Sequence, residues 1–452
     1  MTLTLERAAG ATAAHVYEAE RFPARLRIVT DTRTIERGDT FLALRGERFD
    51  GHDYVAQAVS KGASAVIVED PAARVGGIPA LLVTDTKRAY LDLAALARAD
   101  FGGTVVGITG STGKTTTKHL LAQLLQLYVG EKAVLATPAN ENNELGVSKL
   151  LLAADEKHRV LVIEMGARHD GDIAELVGIA RPHVGVLTNI GEAHLEIFGS
   201  RDALARTKWG LFSTGAQAVL NAGDAVSKMR AVSLRTPPKW FGAGTPSLPG
   251  TYVVDGLTLD LTDADPAMRS DIALRIPGKH NRENVAAAIA AARVLDMPVA
   301  GIVNATAHLT LPCGRYERIE IAGRPTLIYD AYNANLSGTL AALDAFALEA
   351  GARRIAVLAS MAELGDEAPL MHERVGAHAA ASNVDVLLVG GAYAQSLAKG
   401  ACQGGLASDS IEFFSANADV IAWLRRNAAS DDVVLLKGSR IYKLEEIVEG
   451  LL

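Results

Sequence analysis

A glycine-rich stretch at residues 107–118, GITGSTGKTTTK, has the residue types that bind phosphate groups. Glycines let successive backbone N–H groups face an anion, and the helix that follows contributes the partial positive charge of its N-terminus. The strict phosphate-loop pattern places its first glycine at position 108, which is Ile108 in this sequence. We still predict that the loop binds ATP, with the Lys114 ammonium at the β- and γ-phosphates and the Thr115 hydroxyl at Mg²⁺. The alternative is an ordinary glycine-rich turn from a strand to a helix.

Two polar side chains at predicted strand ends could bind a metal beside the phosphates. Glu164 ends the apolar strand VLVIE, and His194 follows the strand VGVLTNIG in the segment GEAHLEIFG. Ligands of parallel α/β sheets bind at the carboxyl edge of the strands, and carboxylate oxygens suit Mg²⁺. We therefore predict that both residues belong to the site. The alternative for the histidine is a structural or solvated residue.

The elements that must position these residues alternate along the chain. An apolar strand precedes the glycine-rich loop, and from residue 315 onwards strands and helices alternate regularly. Apolar strands such as RVLVIEMGA and HVGVLTNIG are typical of parallel sheets that are buried on both faces. We predict an α/β protein of three domains, with a central P-loop parallel-sheet ATPase domain and a C-terminal, Rossmann-like, doubly wound domain. The predicted domains are 1–102, 103–312 and 313–452.

The composition excludes several classes of protein. A chain of 452 residues is too long for one hydrophobic core, and its 49% hydrophobic and 21% charged residues are typical of globular proteins. The net charge of −7 argues against broad nucleic-acid or membrane binding, and no apolar run is long enough to span a bilayer. The two cysteines and a start without a secretory signal favour the cytoplasm. We expect a monomer with no nucleic-acid partner and no membrane span.

With these residues and motifs, the sequence resembles the Mur ligase family, the ATP-dependent, amide-forming enzymes of peptidoglycan synthesis. The family loop has the form GxTGxxGKT/S-T, which residues 107–117 match, including the displaced first glycine. The resemblance extends from TDTRTIERGDTFLALRGERFDGHDYV in the first predicted domain to VVLLKGSR near the end of the sequence. The segments ENNELGV, PGKHNRENVAAAIAA and YDAYNAN are similar to the family member that adds D-alanyl-D-alanine. These segments are specific for the family in combination, whereas each segment alone is weak evidence.

The resemblance implies a reaction and its substrates. ATP would phosphorylate the C-terminal carboxylate of UDP-MurNAc-tripeptide, and the amine of D-Ala-D-Ala would attack the acyl phosphate to give UDP-MurNAc-pentapeptide. A carboxylate alone is a poor acyl donor because oxide would be its leaving group, whereas phosphate is a stable one. In such chemistry the protein mainly positions the reactants and neutralises charge. The implied cofactors are ATP and Mg²⁺.

The resemblance also implies roles for individual residues around ATP. The loop residues assigned to the nucleotide are Gly110, Ser111, Thr112, Gly113, Lys114, Thr115 and Thr116. Outside the loop, Asn281 and Asn284 would recognise adenine, Arg315 would reach the γ-phosphate, and Asp330 would lie near the ribose. The implied metal ligands are Thr115, Glu164, His194 and Lys208, the last as a carbamate because a bare ammonium would repel Mg²⁺. The implied catalytic residues are Lys114, His194, Lys208 and Arg315.

Two further groups would bind the other substrates. The residues that match the UDP-sugar region are Asp31, Thr32, Arg33, Arg45, Gly46, Asp50, Gly51 and His52. The residues that would line the peptide and dipeptide region are Asn142, Asn143, Glu144, Tyr332, Asn333 and Asn335. Simpler explanations stay open for some of these assignments. Lys208 could be a solvated helix lysine, Asn284 could cap the helix that follows it, and Asp50-Gly51 could be a plain turn.

The sequence departs from the family pattern at three positions, and it leaves rival functions open. Ser148 and Leu336 stand where the family often has proline, and Tyr329 replaces a common acidic residue, which affects local turns more than the chemistry. The nearest rivals are the preceding ligase of the family, whose DNPR-type motif is absent here, and folylpolyglutamate synthase, which lacks such a first domain. From other classes, the rivals are a P-loop regulatory ATPase, a small-molecule kinase and a non-catalytic nucleotide-binding module.

Overall fold

The computed structural model describes residues 3–46, 49–191, 198, 200–242, 248, 251–255, 258–261 and 268–452. This part of the chain forms three sheets that follow one another in sequence, with helices packed on their faces. The predicted α/β class with three domains is confirmed. The predicted boundaries, after residues 102 and 312, lie between strands of successive sheets and stay predictions. In the ranges described, no helix has the length and apolar character needed to cross a membrane.

The first sheet consists of short, mostly buried strands. In the described part of the chain, its strands are β1 (His15–Tyr17), β2 (Ile28–Val29), β3 (Thr40–Leu42), β4 (Ala65–Val68) and β5 (Ala80–Leu82). Its helices are α1 (Leu5–Thr12), α2 (Val55–Ser60) and α3 (Thr86–Asp100). The strand order is β1-β5-β4-β3-β2, with β1 antiparallel to β5 and the other pairs parallel. The side chain of Asp85 caps α3 by accepting a hydrogen bond from the Arg88 N–H at 2.9 Å.

The second sheet is the largest of the three. Its described strands are β6 (Thr104–Thr109), β7 (Val134–Ala136), β8 (Val160–Glu164), β9 (Val184–Leu187), β10 (Gln217–Asn221), β11 (Lys239–Gly242), β12 (Thr251–Asp255), β13 (Thr258–Leu261) and β14 (Met268–Asp271). Their order is β14-β13-β12-β11-β10-β9-β6-β8-β7. In this order, all neighbouring strands between β12 and β7, including β6, pair in parallel, as predicted. Strands β13 and β14 add an antiparallel edge that was not predicted from the sequence.

Helices cover both faces of the second sheet. They are α4 (Lys114–Val129), α5 (Glu144–Ala153), α6 (Asp172–Ala180), α7 (Arg201–Trp209), α8 (Ala225–Arg230), α9 (Lys279–Val294) and α10 (Val299–Thr306). Successive strand residues point to opposite faces, so Val105 and Val106 of β6 belong to different apolar clusters. The cluster of Val106 includes α4 and the alanine-rich, fully buried run 286–292 of α9. This burial on both faces explains the continuous apolar strands of the sequence.

The third sheet has the regular alternation that the sequence predicts. Its described strands are β15 (Glu317–Ile319), β16 (Thr326–Tyr329), β17 (Arg354–Ala359), β18 (Val386–Gly390), β19 (Ile411–Phe414) and β20 (Val433–Lys437). Its helices are α11 (Leu336–Phe346), α12 (Ala368–Ala381), α13 (Ala394–Gln403), α14 (Asn417–Asn427) and α15 (Glu445–Leu451). The order is β15-β16-β20-β17-β18-β19, and only the edge strand β15 is antiparallel among these. Apolar clusters on both faces confirm a doubly wound sheet.

Helix α3 fixes the first domain to the central one. The guanidinium of Arg98, a buried side chain, donates to the carbonyls of Ala180 at 2.6 Å and Arg181 at 2.9 Å, at the C-terminal end of α6. The Lys87 ammonium pairs with the Glu144 carboxylate of α5 at 2.8 Å. The arginine satisfies helix-end carbonyls that have no partner within their own helix. We infer that this contact sets the position of the first domain.

Replacing Arg98 with methionine should loosen this contact. The carbonyls of Ala180 and Arg181 would lose a buried hydrogen-bond donor, which lowers the free energy of unfolding by about 2 kcal/mol. We expect the thermal unfolding midpoint, measured by calorimetry, to fall by several degrees. As a control, Arg88→Met removes a side chain that is 71% exposed on the same helix, and its midpoint should stay close to that of the wild type. Equal midpoints for the two variants would show that the Arg98 guanidinium does not hold the domains.

Candidate active site

The glycine-rich loop connects β6 to α4 and turns at two glycines. Gly110 and Gly113 have φ angles of +149° and +79°, which residues with a side chain rarely adopt. A Cβ at Gly110 would overlap the Thr188 hydroxyl, and a Cβ at Gly113 would overlap the side-chain oxygen of Asn284. Both positions therefore require glycine. The loop leads directly into the N-terminus of α4, where N–H groups and the helix dipole favour an anion.

A segment that follows β9 holds the loop in place. The Asn189 side chain accepts from the Thr112 N–H at 3.1 Å and donates to the Thr112 hydroxyl at 2.8 Å. The Thr188 hydroxyl donates to the Thr112 carbonyl at 2.5 Å, and the Gly191 N–H donates to the Ser111 hydroxyl oxygen at 3.0 Å. Thr188 and Asn189 were not predicted from the sequence to belong to the site. Their position at the carboxyl end of an apolar parallel strand is a signal that could have found them.

Two lysines converge on one carbonyl of the loop. Nζ of Lys114 donates to the Gly110 carbonyl at 2.9 Å, and Nζ of Lys208 donates to the same oxygen at 3.1 Å. Lys208 is 1% exposed, so the alternative of a solvated helix lysine is wrong. Burial, followed by the charge of Lys114, lowers the pKa of Lys208 well below its ordinary value. Burial also lowers the pKa of Lys114, against the attraction of Glu164 and together with the repulsion of Arg315. Burial and the neighbouring positive charges thus favour the uncharged amine, whereas the attraction of Glu164 favours the ammonium of Lys114.

Glu164 places a buried carboxylate at the end of β8. Its Oε1 accepts from the Thr115 hydroxyl at 3.1 Å and from the Asn142 amide at 2.9 Å. Its Oε2 is buried and has no hydrogen-bond partner, although Nζ of Lys118 lies 3.1 Å away. The contact with Lys118 is thus an ion pair without the angles of a hydrogen bond. The structure brings Thr115, Asn142 and Glu164 together and adds Lys118, which the sequence analysis did not single out.

Two asparagines of α9 lie next to the loop. The helix begins at Lys279, so Asn284 lies inside it, and the alternative that Asn284 caps this helix is wrong. The Asn284 Oδ1 accepts from the Thr117 hydroxyl at 3.3 Å, and its amide donates to the Asn281 Oδ1 at 3.5 Å. Both asparagines are buried at the wall of the cavity beside the loop. The hydrogen bond from Thr117 ties α9 to the first turns of α4.

The third domain contributes charged side chains to the same place. The Arg315 guanidinium lies over the Tyr332 ring, 4.4 Å from its centroid. Asp330 directly follows β16, and its Oδ1 accepts from the Tyr316 N–H at 3.2 Å. Its Oδ2 lies 3.3 Å from Nζ of Lys437, which also donates to the Asp330 carbonyl at 2.9 Å. Lys437 is a second buried lysine that the sequence analysis missed.

A cavity of about 1000 Å³ lies between the central and third domains. The predicted site residues that line it are Ser111, Thr112, Gly113, Lys114, Thr115, Thr116, Asn142, Asn143, Glu144, Glu164, Lys208, Asn281, Asn284, Arg315, Asp330, Tyr332, Asn333 and Asn335. A second cavity of about 700 Å³ shares several residues with the first, among them Thr115, Arg315 and Tyr332. The structure therefore brings together the loop, the asparagines of α9 and the residues from the third domain.

Some of these cavity residues also have a local structural role. The Asn143 Oδ1 accepts from the Gly146 N–H at 3.0 Å and so caps α5. In the same way, the Asn335 Oδ1 accepts from the Gly338 N–H at 2.8 Å and caps α11. These caps place the N-termini of two helices at the wall of the cavity, where they favour negative charge.

The residues predicted to bind the UDP-sugar line neither of these two cavities. Asp31 accepts from the Arg33 side chain and N–H, and these bonds lower the pKa of Asp31 to about 2. The Thr32 hydroxyl, next to them, donates to the Gln57 side chain at 3.1 Å. The first group of the predicted set, residues 31–33, thus forms one small polar cluster in the first domain.

A second polar cluster of the first domain surrounds Asp50. Arg45 donates to the Asp50 carboxylate at 2.8 Å, and the His52 N–H donates to it at 3.0 Å, which is the hydrogen bond of an Asx turn. The turn alternative for Asp50-Gly51 therefore describes the local geometry. A Cβ at Gly51 would lie 2.5 Å from a backbone carbonyl oxygen, so close packing requires glycine at this position. A Cβ at Gly46 would lie 2.7 Å from the ring of a phenylalanine, which is a side chain and not backbone.

His194 lies outside the described residues. Within the residues that the structure describes, no group of three or more His, Cys, Asp or Glu side chains is arranged to hold a metal ion. A metal at this place would need donors besides Glu164, such as the Thr115 hydroxyl, which is hydrogen-bonded to it.

Three family models match successive parts of the chain. The model of the Mur ligase family, catalytic domain, matches residues 27–89, and that of the Mur ligase middle domain matches residues 108–292. The model of the Mur ligase, glutamate ligase domain, matches residues 314–440. These matches follow the order of the three sheets.

Similarity to individual proteins extends over nearly the whole chain. A UDP-N-acetylmuramoyl-tripeptide–D-alanyl-D-alanine ligase of Synechocystis is 37% identical over 434 residues, which cover 94% of this chain and 91% of the relative. A crystal structure of MurF from Acinetobacter baumannii aligns with a TM-score of 0.87 at 30% identity and covers 100% of this chain and 99% of that chain. The MurF ligase from Thermotoga maritima in complex with ADP aligns with a TM-score of 0.80 at 30% identity, covering 94% and 96%.

Replacing Gly113 with alanine should weaken ADP binding by more than about tenfold, because the loop can keep its shape only by moving away from Asn284. Isothermal titration calorimetry with ADP measures the affinity. The matched control is Gly130→Ala at the other end of α4, where φ is +96° and no atom lies within 4 Å of the added Cβ. Gly130→Ala also has an unfavourable positive φ but no steric overlap, so it should bind ADP like the wild type. Equal affinities of the two variants would contradict a role for Gly113 in the shape of the loop.

Proposed function

Because the chain belongs to the Mur ligase family, we propose that it is the ATP-dependent ligase that joins D-alanyl-D-alanine to UDP-MurNAc-tripeptide. The product is UDP-MurNAc-pentapeptide, a precursor of peptidoglycan. The observation that carries the proposal is the cavity in which the phosphate loop of one domain faces Arg315 and Asp330 of another. This division between domains suits a reaction in which ATP and an acceptor must meet. The similarity to ligases of this name over 94% of the chain supports the choice of substrates.

The first step transfers the γ-phosphoryl group of ATP to the carboxylate of the tripeptide. A carboxylate oxygen attacks the γ-phosphorus, the bond to the bridging oxygen breaks, and ADP leaves. Negative charge is spread over the phosphoryl oxygens and the leaving group during this transfer. We assign its neutralisation to Lys114, at the start of α4, and to Arg315, across the same cavity.

The second step forms the amide. The free amine of D-Ala-D-Ala attacks the carbonyl carbon of the acyl phosphate, the tetrahedral intermediate expels phosphate, and the nitrogen loses a proton. We assign the positioning of the two peptides to Asn142, Asn143, Glu144, Tyr332, Asn333 and Asn335, which line the cavity beside the loop. Holding both reactants in one cavity would accelerate the attack and limit the access of water to the acyl phosphate.

The donor groups around Glu164 fit Mg²⁺. Oε2 of Glu164 is a buried carboxylate oxygen without a hydrogen bond, and the Thr115 hydroxyl lies beside the same carboxylate. Both are hard oxygen donors of the kind that Mg²⁺ prefers, and the ion supplies positive charge to the phosphates when bound. We assign the metal to Thr115, Glu164, Lys208 as a carbamate, and His194, which lies outside the described residues.

We also propose that Lys208 is carbamylated. Only an uncharged amine attacks CO₂, forming an N–C bond and losing a proton, and the lowered pKa of Lys208 increases the uncharged fraction. The product is an anion, so the repulsion between Lys208 and Lys114 becomes an attraction. The same change would turn a side chain that repels Mg²⁺ into one that binds it.

The remaining assignments follow the family pattern. We assign adenine to Asn281 and Asn284, the ribose to Asp330, and the UDP-sugar to the polar clusters of the first domain. The contact through Arg98 keeps those clusters at a fixed position relative to the central domain. We place the enzyme in the cytoplasm, where ATP is available, and expect it to act as a monomer.

The reaction itself can be tested by phosphate release. ADP and phosphate should form only when UDP-MurNAc-tripeptide, D-Ala-D-Ala, ATP and Mg²⁺ are all present, and mass spectrometry should identify the pentapeptide product. L-Ala-L-Ala is the matched control for the dipeptide and should give little turnover. Phosphate release at an equal rate without a dipeptide would contradict the assignment and favour a P-loop ATPase.

The carbamate can be tested by chemical rescue. We expect Lys208→Ala to lower kcat by about 100-fold or more, because an anionic group beside the phosphates is removed. Formate or acetate should restore part of the activity by filling the vacated space. The control is Lys157→Ala, which removes a lysine side chain that is 74% exposed and should leave kcat unchanged. If Lys208→Ala kept full activity, Lys208 would have no catalytic role.

A further inference from the structure

Lys118 is a buried cation to which the proposed reaction gives no role. It lies in α4, one helical turn after Lys114, and it is 5% exposed. Its Nζ donates to the Ala139 carbonyl at 2.7 Å and lies 3.1 Å from Oε2 of Glu164. One side chain therefore connects the carboxylate at the end of β8 to the loop that precedes α5.

The loop before α5 is part of the wall of both cavities. Ala139 and Asn140 line the smaller cavity, and Asn140 and Asn142 line the larger one. Ala139 has a φ of +40°, which is uncommon for a residue with a side chain, and its carbonyl accepts from Lys118. Asn142 donates to Oε1 of Glu164 at 2.9 Å. The loop and the carboxylate are thus joined twice, once through Asn142 and once through Lys118.

The charge of Lys118 also compensates that of Glu164. The two side chains are 6% and 1% exposed, and a buried carboxylate is unfavourable unless a positive charge or strong donors accompany it. The other carboxylate oxygen has the neutral donors of Thr115 and Asn142. Among the residues described, Lys118 is the cation in ion-pair contact with Glu164.

We propose that Lys118 is a positioning residue that holds Glu164 and the loop together and makes metal binding depend on the nucleotide. The inference rests on the proposed function, since it requires Glu164 to be a metal ligand. A divalent cation that approaches Oε2 is repelled by the Lys118 ammonium, which weakens its binding to the protein alone. The phosphates of ATP add negative charge that outweighs this repulsion. The metal is therefore retained together with the nucleotide rather than before it.

Metal binding without substrates tests the inference. The probe is Mn²⁺, whose free concentration is followed by electron paramagnetic resonance. Lys118→Gln keeps a hydrogen-bond donor for the Ala139 carbonyl but removes the charge. We expect it to bind Mn²⁺ about tenfold more tightly than the wild type in the absence of nucleotide, and to lose much of this difference when ADP is present. Its kcat should fall at least tenfold, because one of the two links between Glu164 and the loop loses its ion pair.

Two further variants serve as controls. Lys118→Arg keeps the positive charge and should retain the wild-type Mn²⁺ affinity and most of kcat. Lys132→Gln removes an exposed lysine shortly after the end of α4 and should behave as the wild type in both measurements. If Lys118→Gln does not fold, Lys118→Met, with an apolar stem of similar length, replaces it in the same comparison.

Two results would overturn the inference. One is an unchanged Mn²⁺ affinity in the uncharged variant. The other is weaker Mn²⁺ binding together with a lower kcat, because a loss of local structure alone has that effect. The proposed function fails separately, since the dependence of the wild-type protein on D-Ala-D-Ala is measured without any Lys118 variant.

Discussion

The rest of the structure depends on the close approach of amine groups around one backbone carbonyl. The Nζ atoms of Lys114 and Lys208 lie 2.9 and 3.1 Å from the Gly110 oxygen, and burial lowers the pKa of both side chains. Such an arrangement persists only if the surrounding structure holds it, because the charged forms repel each other and have lost their hydration. A bound anion relieves this strain on the site. We therefore expect part of the free energy that keeps these groups together to contribute to the affinity for phosphate.

Two sheets hold this arrangement by bringing their strand ends to one cavity. In the central sheet, Gly110 follows β6 and Glu164 ends the neighbouring strand β8. In the third sheet, Asp330 follows β16 and Lys437 ends the neighbouring strand β20. Each pair thus lies on adjacent strands at the carboxyl edge, where parallel α/β sheets bind ligands. Since the cavity lies between these two edges, neither domain contains the complete site.

The sequence predicted those features that local patterns determine. Continuous apolar runs indicated parallel strands, and one contiguous segment contained both Lys114 and Thr115. Lys118 and Lys437 were missed because no local pattern distinguishes a buried lysine from an exposed one. The antiparallel strands within 258–271 were missed because their segments, TLDL and MRSD, lack a continuous apolar run. Arg315 and Asp330 were placed at the site by resemblance to the family, since the physics of the sequence alone does not bring distant segments together.

The lysines of the site fall into two kinds that differ in their partners. Lys118 and Lys437 each lie within 3.3 Å of a carboxylate oxygen, so their charges are already compensated. Within the described residues, Lys114 and Lys208 have no carboxylate in ion-pair contact and share the oxygen of Gly110 instead. Any positive charge that these two lysines carry therefore has no carboxylate partner at the phosphate loop, although the chain as a whole has a net charge of −7. We therefore expect an anionic ligand in the cavity to bind at the loop, beside Lys114, rather than at the compensated lysines. This difference would bring the phosphates of ATP to the place where the acceptor carboxylate must meet them.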